Sequence, residues 1–224
     1  LENFILKDID KDKLFNFLRE MEFNRLLSSA ISTYGEPKFK DNVETSLSDK
    51  HEKIDTKNYK LIKEIEELDE WIKEAEEKGE FAIDTETTSL DPHQAELVGI
   101  SLSTKIGKAC YIPIFHSKGN CLDKKKVLKK LKPILEDQSI KKIGQNIKFD
   151  FIIFFHNGII LNSLEDTMLI SYVLDAGKNR HNMDTLSEIH LDHKPISYKD
   201  LVGTGKKQIN FRDVDVKKAL EYGA

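Results

Sequence analysis

With 224 residues, 39% of them hydrophobic and 33% charged, the chain is long enough for one domain of about 150 residues plus an appendage, and too apolar for wholesale disorder. Its richest apolar run, residues 149–155, contains Asp150 and stops at His156, well short of the roughly 18 residues that cross a membrane. The net charge of −4 argues against a nucleic-acid partner only as an average: residues 63–80 carry nine acids against three lysines, a local −6, which leaves +2 for the rest.

Residues 1–10 mix acids and a lysine with their apolar side chains and form no secretory signal. Leu14, Phe15, Phe17, Leu18 and Met21, then Phe23, Leu26, Leu27 and Ile31, recur at helical spacing. They predict two short helices that end at Gly35-Glu36-Pro37. Residues 1–35 are expected to form a helical appendage, and the polar, aperiodic residues 36–58 a linker. From Tyr59 the texture changes. A short strand is expected over 59–62, a helix over 68–78, and strands over 81–85, 97–103 and 108–114, the last two joined by the Lys105-Ile106-Gly107 turn. A helix follows over 123–136, kinked or interrupted near Pro133, then a strand over 141–144 and a helix from about 146 to 156. Three further helices cover 166–175, 184–193 and 213–222. The order predicts an α/β domain over 59–224, a mixed β-sheet flanked by helices. Cys110 and Cys121 give neither a disulfide framework nor a C-x-x-C site, which suits a reducing, cytoplasmic setting.

Chemistry enters at Phe81-Ala82-Ile83-Asp84-Thr85-Glu86-Thr87-Thr88-Ser89-Leu90-Asp91. On a strand, Phe81 and Ile83 share one face while Asp84 and Glu86 share the other. Two like charges so placed need a compensating cation, and a divalent ion with oxygen ligands, Mg²⁺ or Mn²⁺, is the simplest. By itself the pattern also describes a solvated strand edge. The second stretch is Ile143-Gly144-Gln145-Asn146-Ile147-Lys148-Phe149-Asp150. Asn146 is expected to cap the following helix, with Asp150 one turn in on the same face. Phe149 and Phe151 flank Asp150, so the acid enters apolar surroundings unless it is paired or an ordinary surface residue.

In order and spacing, these two stretches, followed by D-T-M-L-I-S-Y-V-L, R-H-N-M-D-T-L-S-E, G-T-G-K-K-Q-I-N-F and A-L-E-Y-G-A, resemble the 3′→5′ proofreading exonuclease domains of bacterial family A DNA polymerases. The resemblance covers residues 59–224, while residues 10–34 resemble the stretch just before such a domain. It implies the DEDD exonuclease superfamily, tyrosine subclass, with a ribonuclease-H-like fold. On this resemblance Asp84 and Glu86 are first-motif metal ligands, Asp84 bridging two ions, Asp150 is the second-motif acid, and Tyr222 orients the attacking water. The third motif's Asp falls at position 226, past Ala224. The resemblance therefore implies an incomplete carboxylate set, impaired activity and a weakly held second ion.

Two Mg²⁺ or Mn²⁺ ions about 3.5–4 Å apart suit phosphodiester hydrolysis, because they lower the pKa of water and clamp the attacking and leaving oxygens. The same carry-over makes Leu90 a wedge against the terminal base, and Gln145 and Asn146 polar contacts to the terminal nucleotide. It puts Arg180 and Met183 in the backbone-binding segment, and makes Tyr198 a stacking aromatic or a half-buried core tyrosine. The implied partners are a single-stranded or frayed 3′ end of DNA and a polymerase domain of the same parent chain. An RNase D-like exoribonuclease shares the superfamily motifs, and a catalytically silent domain that buttresses a polymerase is the rival from another class. Gly203-Thr204-Gly205-Lys206-Lys207 lacks the spacing of a phosphate loop, His190 and His193 lack further zinc ligands, and Asp166 reads as a helix cap.

Overall fold

The computed structural model describes residues 8–35 and 59–224, so the expected linker over 36–58 lies outside the described residues. Contacts divide the chain into two units, Leu1–Lys50 and His51–Ala224. In the first, α1 (Lys11–Glu20) and α2 (Asn24–Tyr34) form a hairpin, with Asp10 capping α1 by accepting from the Lys13 amide. The helical spacing of Phe15, Leu18 and Ala30 buries them together, and Leu14, Leu27, Ile31 and Tyr34 pack around them.

The second unit contains β1 (Lys60–Leu61), α3 (Leu68–Lys78), β2 (Glu80–Thr87), β3 (Leu97–Lys105), β4 (Lys108–Pro113), α4 (Lys124–Glu136), β5 (Lys141–Gly144), α5 (Lys148–His156), β6 (Leu164–Asp166), α6 (Thr167–Leu174), α7 (Met183–Leu191), α8 (Tyr198–Val202) and α9 (Val216–Gly223). Six strands form one mixed sheet in the order β1-β4-β3-β2-β5-β6. Only β3 runs against its neighbours: β2 pairs antiparallel with it on one side and parallel with β5 on the other. The parallel neighbour β5 ends at Gly144 beside the middle of the central strand β2, whose carboxyl-terminal half runs on past it, at the point where the connectivity changes direction. In open α/β sheets that is where sites form.

Alternation along the strands divides the two faces. Phe81, Ile83, Ile100, Leu102, Cys110 and Ile112 belong to the large apolar core with Trp71, Ala75, Leu131 and Leu135 of α3 and α4 and Ile153 and Phe154 of α5. Tyr111 on the opposite face packs with Val202, Phe211, Val214, Val216 and Ala219 in a second cluster that seats α9. Lys142 of β5 points into the protein with no solvent exposure, and its ammonium donates to the Ile134, Asp137 and Ile140 carbonyls (3.3, 2.6 and 2.6 Å) at the end of α4. Burial lowers its pKa.

Several expectations are corrected. Of the two expectations at Pro133, kinked or interrupted, the interruption is excluded: α4 runs through the proline to Glu136, and the Pro133 carbonyl accepts from the Asp137 amide. Asn146 does not cap α5: it lies in the left-handed region (φ 55°), and α5 starts at Lys148 after Ile147. The amides of Asn146 and Ile147 are met instead by Asp166 (3.0 and 3.1 Å), which also caps α6 by accepting from Met168 (2.9 Å). Strand β6 and helix α8 went unread, both too short to carry a period. Residues 211–213 form a 3₁₀ turn, so α9 begins later than expected.

Candidate active site

Asp84 and Glu86 occupy the carboxyl-terminal half of β2 and, as the alternation requires, share one face. Asp84 stands opposite Ser101 and Glu86 opposite Gly99 on β3. The floor around them consists of small residues, Ala82, Gly99, Ser101 and Ser103. Beside Glu86 the ladder is irregular: Val98 is an extra residue of β3, and its side chain enters the second apolar cluster.

Asp150, in the first turn of α5, is 2% exposed and reaches β2 from the side. The Thr85 amide and hydroxyl both donate to Asp150 Oδ1, at 2.9 and 2.5 Å, so the residue between the two strand acids clamps the third. Tyr222 arrives on α9, where it packs against Phe211 and Tyr198 with ring centroids 6.0 and 6.3 Å apart. The following Gly223 presses so close that a β-carbon there would lie 3.2 Å from Glu86 Oε1. The consecutive strands β2 and β3 thus meet two elements distant from them in sequence, α5 and α9.

The electrostatics are those of an acid cluster short of positive charge. Burial raises the Asp84 carboxyl to about 6. Burial and then the Asp84 charge push Asp150 up to about 8. Glu86 is raised well above the ordinary carboxylate range by burial, then by Asp84 and Asp150. Burial, followed by the charges of Glu86, Asp84 and Asp184, also holds the Tyr222 phenol above its usual value. Three hard oxygen donors that resist ionisation together fit a divalent cation, which would stabilise their charged forms. Among the described residues, no three His, Cys, Asp or Glu side chains already form a closed metal cage.

The other expected residues ring this end of the sheet. Leu90 lies in the loop after β2 and is 88% exposed, and Asn210 donates to the Thr88 carbonyl of the same loop (2.8 Å). Gln145 follows β5, but its amide already bridges two protein groups, donating to the His181 carbonyl (2.7 Å) and accepting from Thr167 (2.6 Å). That bridge secures the segment carrying the exposed Arg180 and Met183. Asn146 is exposed. Tyr198 stacks on Phe211 at 6.4 Å and stands beside Tyr222 while remaining 37% exposed. Asp184, at the start of α7, was not singled out by motif, yet its charge acts on Tyr222. Thr85 was missed as well, and its only signal was its place between the two acids.

The 3′–5′ exonuclease family of A-type DNA polymerases matches residues 59–224. The chain belongs to this family. It is 44% identical over 192 residues to the DNA polymerase I of Rhizobium leguminosarum, covering 76% of this chain and 19% of that one. It is 36% identical over 220 residues to the DNA polymerase I of Pseudomonas aeruginosa, covering 96% and 23%. The chain thus spans about a fifth of the length of these relatives and corresponds to their exonuclease domain. Among solved structures, Escherichia coli RNase D superposes with a TM-score of 0.55 at 20% identity (75% of this chain, 40% of that one). Brucella melitensis NrnC with bound Mg²⁺ gives 0.52 at 24% (74% and 71%). These likenesses establish the ribonuclease-H-like α/β fold. Among the described residues no helix is long and apolar enough to cross a membrane.

Proposed function

We propose that the domain removes nucleotides one at a time from a single-stranded or frayed 3′ end of DNA, with Asp84, Glu86 and Asp150 holding two divalent cations, Mg²⁺ or Mn²⁺. The observation that carries this reading is the gathering of the buried Glu86 and Asp150 with the half-buried Asp84, all three raised by desolvation, beside the Tyr222 phenol. When bound, the cations supply Lewis acidity toward the phosphate and lower the pKa of the attacking water.

The protein's part is positional. The charge of Asp84 acts on both Glu86 and Asp150, so all three carboxyl groups would serve as ligands to cations bound at this end of β2. Thr85 fixes the Asp150 carboxylate, leaving its second oxygen for a cation. Tyr222, an ordinary phenol held further above its usual value by burial and the neighbouring acids, is protonated at neutral pH and can offer a hydrogen bond to the attacking water. Leu90 stands exposed to meet a terminal base, and Tyr198 offers an aromatic face that takes any base, worth about 1–3 kcal/mol without reading sequence. Arg180 and Met183 line the approach of the backbone, with Gln145 and Asn146 nearer the terminal nucleotide. Joined to a polymerase domain, such a site trims mismatched primer ends.

The test is Mg²⁺-dependent release of mononucleotides from a single-stranded DNA and an RNA of the same sequence, by the wild type and by Asp84→Ala. Release from DNA that Asp84→Ala abolishes is the expected result. Release that survives the substitution, or release from RNA alone, overturns the reading.

A further inference from the structure

Ser101 is 5% exposed, and among the described residues its hydroxyl is one of the buried polar groups without a hydrogen-bond partner. Such a group costs free energy, so its persistence calls for a cause. Its position is specific. Ser101 lies directly across from Asp84, on the face that also carries Glu86. A β-carbon at position 223 would lie 2.9 Å from Ser101 Oγ and 3.2 Å from Glu86 Oε1, so both oxygens border the same small space under α9.

The other polar group nearby is already committed. Tyr111, the neighbour of Ser101 on β4, passes its ring over Gly99 and brings its hydroxyl 2.8 Å from His116 Nε2. His116 Nδ1 faces the Val214 carbonyl at 3.1 Å. A carbonyl can only accept, so Nδ1 carries the proton, Nε2 accepts, and the Tyr111 proton is used there. Among the described residues, the Ser101 proton is left without a partner, beside a Glu86 carboxylate that receives no hydrogen bond from a protein donor.

We propose that Ser101 is a positioning residue for Glu86: its hydroxyl donates to the Glu86 carboxylate when that group is ionised and turned toward a divalent cation, fixing which oxygen faces the cation. The inference rests on the carboxylate metal site proposed above. Groups that orient a metal ligand in this way are typically worth roughly ten- to a hundredfold in metal affinity.

Calorimetric titration with Mn²⁺ and thermal melting with and without Mn²⁺ test it on the wild-type chain, Ser101→Ala, Ser101→Thr and Asp84→Ala. Ser101→Ala is expected to weaken Mn²⁺ binding about tenfold or more, and Ser101→Thr, which keeps the hydroxyl, to recover most of it. Without cation, Ser101→Ala is expected to melt at or above the wild-type temperature, because it removes an unpaired buried hydroxyl. Ser101→Ala binding Mn²⁺ as tightly as wild type, while Asp84→Ala loses it, overturns the role of Ser101 and leaves the metal site standing. A lower melting temperature of cation-free Ser101→Ala points to simple packing and also overturns it. No Mn²⁺ binding by the wild type, or binding indifferent to Asp84→Ala, removes the metal site and this inference together.

Discussion

Replacing Asp150 by Asn should stabilise the cation-free domain at neutral and alkaline pH and leave it unchanged in acid. Burial, then the Asp84 charge, push the Asp150 carboxyl from 3.8 up to about 8. Its folded-state pKa lies above the unfolded value, so its contribution to stability is whole below about pH 4 and is lost as pH rises through about 8. At pH 7 the unfolded chain has ionised this group and the folded one has not. The interval from 3.8 to 7 makes that worth about 4 kcal/mol, an upper figure because Asp84 titrates with it. Asparagine keeps an oxygen for the two Thr85 donors and has nothing to ionise. At about 2–4 °C per kcal/mol for a domain of this size, a gain of half that figure raises the melting temperature by about 4–8 °C. The assay is thermal melting of both proteins between about pH 4 and 9 in a chelator. Wild type should lose stability faster with rising pH, and added Mg²⁺ should restore it in wild type alone. Parallel pH profiles, or a variant that melts lower than wild type at pH 8, refute the reasoning.

Other substitutions separate packing from chemistry. Gly223→Ala puts a β-carbon against Ser101 and Glu86; nuclease activity should fall about tenfold or more. Its melting temperature should also fall by a few degrees, since overpacking costs about 1–3 kcal/mol and Gly223, the last residue of α9, gains little helix propensity. Lys142→Met removes the donor to three carbonyls and should lower stability by about 2–4 kcal/mol in urea titrations, with activity preserved below the transition. Leu90→Ala, at an exposed position, should shift stability by less than about 0.5 kcal/mol while slowing release from frayed DNA ends, which kinetics on matched and frayed duplexes would measure.

What could be read from the sequence was what depends on neighbours in the chain. The shared face of Asp84 and Glu86 follows from strand periodicity, and helix α3 and strand β5 begin and end where expected. What escaped depends on contacts between distant segments. Asn146 has the composition of a cap, yet the pairing of β5 with β6 brings Asp166 beside the start of α5, and that carboxylate takes over the amides. Nothing local marks Thr85 as the clamp on Asp150, 65 residues away, nor His116 as the link between Tyr111 and Val214. Lys142 looks like a surface lysine until β5 is threaded between β2 and β6. Nor does anything local show that the Gln145 amide ties β5 to the His181 segment, a bond that exists only once the sheet is assembled.

The three amides gathered by Asp166 bear on how loss-of-function variants of this domain are interpreted. A genetic screen that scores only nuclease failure would rank Asp166 with Asp84 and Asp150, since freeing the Asn146, Ile147 and Met168 amides unseats the helix that delivers Asp150. The two kinds of lesion part company once abundance is measured alongside activity. A ligand variant such as Asp150→Asn is expected to accumulate as folded, inactive protein, whereas an Asp166 variant, short of about 1–3 kcal/mol of capping, is expected to show lower stability and abundance. Acidity near the site is therefore a poor guide to catalytic rank, and Asp166 is the residue most apt to be misassigned.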